Sequence, residues 1–166
     1  GVCLTVTKEY IGQLVDKYGD TVLRVSYTYL NNMADAEDIV QDVFLQVIDK
    51  KPDFNDENHE KSWLIRTAIN MCKNRKKRFW DRSRCSIDEI AEPECYDRYN
   101  LDTDVMKAVM SLPEKYRTVV YMFYYEGWKT AEIARITGQE QTTVRSLLHR
   151  ARARLKELLK EDYDFE

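Results

Sequence analysis

The sequence predicts an all-α fold built from two small helical domains that are joined by a flexible linker. Apolar residues recur at spacings of three and four along most of the 166-residue chain, whereas the alternation typical of strands is nearly absent. An acidic segment without a sustained period, residues 83–102, separates the two helical parts. We therefore predict a first domain over residues 7–82 and a second over residues 103–160.

Polar residues indicate where the helices of the first domain begin and end. Asn31 and Asn32 interrupt the apolar pattern. Asp35 then caps a helix whose acidic first turn suits the positive end of the helix dipole. Ser62 caps the last helix of the domain. The predicted elements are helical stretches over residues 8–18 and 20–30, a helix from residue 35 to about 50, a polar loop over 51–60 and a helix from 63 to about 80.

Proline and glycine delimit the helices of the second domain. Pro113 stands at a helix start, where proline is tolerated, and Gly127 ends that helix. Gly138 ends a shorter helix, and Thr142 or Thr143 is the expected N-cap of the last one. The predicted helices cover residues 103–111 and 114–125, a short stretch from residue 130 to the glycine, and a long stretch that ends near residue 159.

The last two helices form a predicted helix-turn-helix, a motif whose second helix enters the DNA major groove. One side of that second helix is apolar, and the other is small, polar and cationic. Such a side can approach base edges while arginines hold phosphates or guanines. A solvated basic surface helix is the ordinary alternative. The predicted DNA contacts are Thr142, Thr143, Arg145, Ser146, His149, Arg150 and Arg152.

Charge is distributed in blocks, although the net charge is only −3. Residues 35–60 carry a net −7, residues 61–84 carry +8, residues 85–105 carry −6 and residues 141–160 carry +5. Two basic surfaces between acidic ones predict two contacts with nucleic acid and at least one with a protein. Solvated faces are the alternative, but the basic blocks also carry aromatic and amide side chains, which that alternative does not require.

The composition and the spacing of histidine and cysteine limit the classes of protein to which the chain can belong. No apolar run is long enough to span a membrane, and the N-terminus has no signal-peptide pattern. His59 and His149 stand far apart, so no metal or cofactor site is expected. The cysteines show neither zinc-site nor disulfide spacing, which favours a reduced, cytoplasmic protein. They are Cys3, Cys72, Cys85 and Cys95.

Two separate parts of the chain resemble the sigma-70 family of bacterial RNA polymerase sigma factors. Residues 35–45 (DAEDIVQDVFL) and 63–70 (WLIRTAIN) are similar to region 2 of that family. Residues 112–117 (LPEKYR) and the helix-turn-helix are similar to region 4. Two such regions joined by a short linker are typical of the extracytoplasmic-function (ECF) group. The resemblance implies a dissociable promoter-specificity subunit, not an enzyme, whose partners are core RNA polymerase, promoter DNA and an anti-sigma factor.

The resemblance also implies a role for each segment. Region 2 would bind the β′ clamp of the polymerase, take the non-template strand of the −10 element and promote melting, with a flipped base beside the loop before Trp63. Region 4 would meet the β flap and read the −35 element through the helix-turn-helix. The cationic and amide side of the helix after residue 63 suits an unpaired strand. The implied clamp contacts are Asp35, Glu37, Asp38, Gln41 and Asp42. The implied −10 contacts are Asn58, Trp63, Arg66, Thr67, Asn70, Lys73, Asn74 and Lys77.

For several side chains near these segments, burial in the core is the alternative to a functional contact. Trp63, Phe79 and Trp80 could equally be buried, and Cys72 is predicted to be core and not a ligand. The aromatic run over residues 121–125 is likewise predicted to be packing and not a cofactor site.

Two other functions stay open on the sequence. The chain could be a stand-alone helix-turn-helix transcriptional regulator, with residues 1–100 as a sensor or dimerisation domain, but no effector pocket or oligomer seam is visible. It could also be an enzyme, such as a nuclease that binds magnesium through the acid-rich residues 53–60. Nothing in the sequence supplies a second set of groups around such a metal.

Overall fold

The computed structural model describes residues 8–82 and 104–162, with the side chains of residues 81, 82, 161 and 162 left aside. The chain divides into two units, one within residues 1–90 and one within residues 91–166. Helices make up both units, and no strand occurs in the described ranges, so the predicted all-α fold is confirmed. The predicted linker and Cys3, Cys85 and Cys95 lie outside the described residues, and the predicted domain limits stay predictions. In the described ranges, no helix has the length and apolarity needed to cross a membrane.

The N-terminal unit is a bundle of three helices. The long α1 packs against both α2 and α3, and α2 also packs against α3. The core lies between them and includes Val22, Val43, Leu64 and Ile65, each fully buried. These apolar positions recur at helical spacing, so each helix turns one side inward. The helices are α1 (Lys8–Leu30), α2 (Met33–Lys50) and α3 (Glu57–Arg82).

The start of the N-terminal unit differs from the prediction in two places. The two stretches over residues 8–18 and 20–30 are one continuous helix, because Gly19 and Asp20 keep helical geometry between two apolar stretches that face the same core. The cap of α2 is Asn32 and not Asp35. The Asn32 side chain accepts a hydrogen bond from the Asp35 backbone N–H at 3.0 Å, so Asp35 lies in the first turn.

The C-terminal unit is built around its last helix. Each of the three preceding helices packs against α7. Pro113 precedes α5 as predicted, and Gly127 adopts a positive φ of 71° in the turn that follows it. The core includes Met106, Tyr121 and Ile133. The helices are α4 (Asp104–Ser111), α5 (Glu114–Tyr124), α6 (Thr130–Thr137) and α7 (Gln141–Asp162).

The aromatic run in α5 is only partly core. Tyr121 is buried, and its hydroxyl donates a hydrogen bond to Glu126 Oε1 at 2.8 Å. Tyr124 and Tyr125 are 52% and 46% exposed, yet the Tyr125 ring stacks on that of Tyr121 at 5.4 Å and the Tyr124 ring lies edge-on to Phe123 at 5.0 Å, so both pack locally without being core. Both residues lie at the end of α5, which stops at Tyr124.

Candidate polymerase and nucleic-acid interfaces

The helix-turn-helix predicted from the sequence is present as α6, a tight turn and α7. Gly138 ends α6 in the left-handed conformation, with φ 70° and ψ 26°, which favours glycine. The Gln139 N–H donates to the Ala134 carbonyl at 3.0 Å and closes the turn. The Gln141 side-chain amide donates to Thr130 Oγ1 at 3.0 Å, which ties the start of α7 to the start of α6. Polar bonds therefore set the geometry of the turn.

The long helix α7 presents the predicted DNA contacts to solvent and buries the opposite side. Val144 and Ala151 are fully buried, and Leu147 and Leu148 are nearly so. The predicted N-cap is wrong: the Glu140 carbonyl accepts the Val144 N–H at 3.1 Å, so the helix begins before the two threonines, which lie in its first turn. The predicted contacts are all exposed, namely Thr142, Thr143, Arg145, Ser146, His149, Arg150 and Arg152.

Arg152 differs from the other cations of α7 because aromatic side chains of α5 hold it. Its guanidinium carbon lies 5.5 Å from the ring centroid of Phe123 and 5.6 Å from that of Tyr124. Its Nε also donates a hydrogen bond to the Tyr124 hydroxyl. Such cation–π contacts orient a guanidinium while leaving its outer donors in water. Sequence reasoning missed this support, which comes from residues 28 and 29 positions earlier in the chain.

The acidic face of α2 is accessible and extends into an apolar patch. Leu45 and Ile48 are 60% and 45% exposed and continue the side of α2 on which Asp38 and Gln41 lie. The sequence predicted only the acidic part of this surface. An acidic patch beside exposed apolar side chains is typical of a protein-binding surface. Of the predicted contacts, Asp35 is half-buried and the remaining four are exposed, namely Glu37, Asp38, Gln41 and Asp42.

Arg75 of α3 engages two of these carboxylates. Its Nη2 lies 2.6 Å from Asp35 Oδ1 and 3.2 Å from Asp38 Oδ2. Partial burial by itself lowers the pKa of Arg75, but the two carboxylates outweigh burial and raise its pKa overall. The structure therefore brings together the acidic block of α2 and the basic block of α3, which sequence reasoning had assigned to different partners.

One side of α3 carries the predicted contacts with an unpaired strand. Leu64, Ile65, Ala68 and Ile69 are buried on the other side. The predicted burial of Cys72 is confirmed, and that burial raises the pKa of its thiol to about 11. Trp63 and Thr67 are half-buried. The other predicted contacts are exposed, namely Asn58, Arg66, Asn70, Lys73, Asn74 and Lys77.

The start of α3 lies six residues earlier than predicted. Asp56 and not Ser62 is the cap, because Asp56 Oδ1 accepts the His59 backbone N–H at 2.7 Å. The His59 ring reciprocates, since its Nδ1 accepts the Asn55 backbone N–H at 3.1 Å. This exchange resembles a capping box with histidine in place of glutamate. Residues 57–60, predicted as loop, are the first turn of the helix.

Aromatic contacts brace the segment before α3. The Phe54 ring lies edge-on to His59 and to Trp63, with centroid distances of 5.6 Å and 5.7 Å. Trp63 therefore packs locally while remaining half-exposed, which lies between its two predicted roles. Asn55 and Asp56 at the tip of the segment are exposed. The arrangement holds the loop close to the polar side of α3.

Two acids at the start of α3 are bound by α1. The Tyr10 hydroxyl donates to Glu60 Oε2 at 3.1 Å, and Lys17 Nζ lies 2.7 Å from Glu57 Oε1. Burial and the nearby Glu60 carboxylate raise the pKa of Tyr10 to about 12. With Asp56 committed to the cap, three of the four acids in residues 53–60 have structural partners instead, namely Asp56, Glu57 and Glu60. Across the described residues, no group of three or more histidine, cysteine, aspartate or glutamate side chains is placed to hold a metal.

Both helical units match a known protein family. Residues 14–82 match the family model for sigma-70 region 2, and residues 102–155 match that for sigma-70 region 4. RNA polymerase sigma factor SigV of Bacillus subtilis is 32% identical over 163 residues, which cover 94% of this chain and 95% of SigV. ECF RNA polymerase sigma factor SigM of Mycobacterium tuberculosis is 30% identical over 155 residues, 87% of this chain and 79% of SigM.

A solved structure shares the fold. The sigma factor RpoE of Bartonella quintana, determined in complex with the anti-sigma factor NepR, superposes with a TM-score of 0.71. The two chains are 24% identical, and the match covers 95% of this chain and all of RpoE.

Proposed function

Since the chain belongs to the ECF group of the sigma-70 family, the promoter-recognition subunits of bacterial RNA polymerase, we propose a specific task for each of its exposed faces. The acidic and apolar side of α2 binds the β′ clamp of core polymerase. The polar side of α3 takes the non-template strand of the −10 element. The N-terminal half of α7 reads the −35 element, while the C-terminal unit meets the β flap.

One observation carries this proposal. On α2, α3 and α7 the side that bears the predicted contacts is exposed, and the opposite side is buried in its own unit. The charge of each exposed side suits its partner, because α2 is acidic while α3 and α7 are cationic where phosphates would lie. The chemistry of RNA synthesis then belongs to the polymerase, and this chain supplies recognition without catalysis of its own.

The clamp contact draws on two kinds of group in α2. The carboxylates of Asp38 and Asp42 attract a basic partner. The side chains of Leu45 and Ile48 provide apolar surface that becomes buried when the partner binds. Charged groups at the edge of an interface chiefly set the association rate and the specificity, while buried apolar anchors set the dissociation rate. We therefore assign Leu45 and Ile48 to the same interface as the predicted acids.

The −10 contact divides between the loop and α3. The Phe54 ring contacts Trp63 and His59, and the Asn55 backbone N–H donates to His59, so the loop is braced against the first turns of α3. A base that leaves the stack would be received beside this braced segment, where contacts with the protein offset part of the few kcal/mol that unstacking costs. Cations and amides along α3, including Asn70, would hold the strand that the base belongs to.

We also propose an anti-sigma partner and action in the cytoplasm, where the polymerase transcribes. The RpoE structure that shares this fold was determined with an anti-sigma factor bound. A protein that covers the exposed sides of α2, α3 or α7 would block polymerase or promoter, because those sides are the proposed contact surfaces.

Reconstitution with core RNA polymerase tests the proposal. The purified chain is expected to form a stable complex with core polymerase and to direct run-off transcription from a subset of a promoter library randomised at both elements. A stand-alone regulator would instead bind specific DNA without the polymerase. Specific DNA binding by the chain alone, together with no association with core polymerase, would contradict the proposed function.

A further inference from the structure

An exposed polar stripe runs along α3. Successive helix positions are 100° apart, so residues spaced by three and four return to the same side. Arg66, Asn70, Lys73 and Lys77 follow that spacing and lie within an arc of about 60°. All four side chains are exposed. The stripe is therefore one continuous surface of cations and an amide on the side of α3 opposite the core.

Trp80 occupies the next position of this stripe. It follows Lys77 by three residues, so their Cβ atoms lie about 5–6 Å apart on the same side of the helix. Its side chain is 75% exposed, the largest value among the exposed large hydrophobic side chains of the described residues. From Arg66 to Trp80 the stripe extends about 21 Å along the helix axis. A flat indole therefore lies at the end of a row of cations.

The neighbouring aromatic side chain has a different environment. Phe79 lies about 100° around the helix from Trp80. It continues the spacing of Ile65 and Cys72, which are buried in the core, but it is 67% exposed because it lies beyond the end of the bundle. Phe79 thus belongs to the core side of α3 and Trp80 to the polar side. The two residues provide a matched pair in which only one lies on the stripe.

We propose that Trp80 is a stacking site for a base of an unpaired DNA strand, next to the strand segment bound by the stripe. This inference rests on the proposed function, since it extends the surface assigned there to the −10 element. Surfaces that bind single strands combine a cationic track for the phosphates with aromatic side chains on which bases stack. Lys73 and Lys77 supply the track beside Trp80. Stacking needs the open face of a base, so the occupant is a melted strand and not a duplex.

The chemistry of the contact defines its role. Every base has a π face, so an indole stacks on any of the four, and Trp80 contributes strand retention without sequence preference. Sequence is read elsewhere, by groups that reach base edges. Loss of Trp80 is therefore expected to shorten the lifetime of the melted complex and to leave the preferred −10 sequence unchanged.

The test uses holoenzyme assembled from the full chain and core RNA polymerase. The template is a promoter selected by the wild-type holoenzyme and prepared with unpaired bases at −10. The fluorescent base 2-aminopurine replaces one non-template base at a time, and a change in its fluorescence reports stacking. The variants are Trp80→Leu, which removes the ring; Trp80→Phe, which keeps a smaller ring; and Phe79→Leu, the matched control.

The stacking proposal predicts a distinct result for each variant. With wild-type protein, one position of the non-template strand shows a fluorescence change in addition to the base flipped out beside the loop before Trp63. Trp80→Leu abolishes that change and speeds dissociation of the melted template by roughly 5- to 150-fold. Trp80→Phe retains most of both effects, and Phe79→Leu retains both in full. All variants are expected to keep the wild-type Tm within about 2 °C, because the substituted side chains are exposed.

Two results would overturn the inference. One is an unchanged fluorescence profile and dissociation rate in Trp80→Leu. The other is an equal loss in Trp80→Leu and Phe79→Leu, which would indicate packing at the end of α3 instead of stacking. Failure of the wild-type holoenzyme to bind the template at all would contradict the proposed function itself, so the two failures are distinguishable.

Discussion

Removal of the Arg75 guanidinium is expected to strengthen binding to core RNA polymerase. Arg75 lies 2.6 Å from Asp35 and 3.2 Å from Asp38, and both carboxylates belong to the proposed clamp-binding face of α2. A basic clamp must therefore compete with Arg75 for them. The substitution Arg75→Gln removes the charge while keeping a polar side chain, so it ends the competition with little change in shape.

The magnitude follows from the exposure of the three side chains. Arg75 retains 37%, Asp35 40% and Asp38 57% of its side-chain exposure, so water and salt screen both pairs. Exposed pairs of this kind each contribute about 0.2–1 kcal/mol. If about 1 kcal/mol is released in total, the Kd for core polymerase falls roughly fivefold. The free energy of unfolding decreases by about the same 1 kcal/mol, because the pairs no longer join α2 to α3.

A competition titration measures the effect. Labelled wild-type chain bound to core polymerase is displaced by each unlabelled variant at low and at moderate salt. Arg75→Gln is expected to compete better than wild type, and the advantage should shrink with salt. Asp42→Asn, one turn along α2 from Asp38, is the matched control. It is expected to compete roughly tenfold worse, since it removes a carboxylate that the clamp would bind.

The opposite result would refute the reasoning. If Arg75→Gln weakens binding as much as Asp38→Asn does, Arg75 holds the two carboxylates in position for the polymerase and does not compete for them. Chemical denaturation of both variants shows whether such a loss instead reflects an unfolded N-terminal unit.

Three further predictions concern strand binding, base recognition and stability. Asn70→Ala and Lys73→Ala should slow open-complex formation on duplex promoters but matter less on premelted templates, where the unstacking cost has already been met; equal losses on both would indicate a structural role. Arg145→Ala should cost about 1–3 kcal/mol and relax the preference at one −35 position. Lys156 is exposed further along α7, where phosphates are the expected partners, so Lys156→Ala should weaken binding to all sequences and flatten the salt dependence by about one charge. Selection from a randomised −35 library separates these outcomes. For Tyr10, whose folded pKa is raised from 10.0 to about 12, the stabilising effect is fully present below pH 10 and is lost as pH rises through 12. Denaturation across that window should show a decline that Tyr10→Phe reduces, and an identical decline in the variant would exclude Tyr10 as its source.

The helical spacing of apolar residues and the residues that begin or end helices predicted most of the fold. The predicted apolar side of α7 comprised Val144, Leu147, Leu148, Ala151, Leu155 and Leu158. The first four are buried, and the last two, further along the helix, are half-buried. Pro113 and Gly138 predicted a helix start and a helix end, because each restricts or frees the backbone locally. These features depend on residues close together in sequence, so the chain alone was enough to find them. The assignment of individual residues to polymerase or DNA stays a prediction.

The sequence-based predictions failed where the outcome depends on contacts between different helices. Ser62 looked like a cap by type and position, yet Asp56 caps α3, because His59 and α1 hold the preceding segment. Ile48 is apolar, yet neither α1 nor α3 covers that side of α2, and it is 45% exposed. The apolar spacing of one helix does not show which of its sides the neighbouring helices cover.

By itself, the sequence determined the helical class, the order of the two units and the family. Each of these follows from local spacing, from backbone-specific residues or from short motifs that the family shares. Only the tertiary structure placed Arg75 on the carboxylates of α2, Arg152 against the rings of α5, and Trp80 on the solvent side of α3. Arg75 and Arg152 join residues 28 to 40 positions apart, and the exposure of Trp80 depends on where the neighbouring helices end. Helix lengths and the packing of whole helices set such contacts, because a side chain can pair only with what the folded backbone brings within a few ångströms of it.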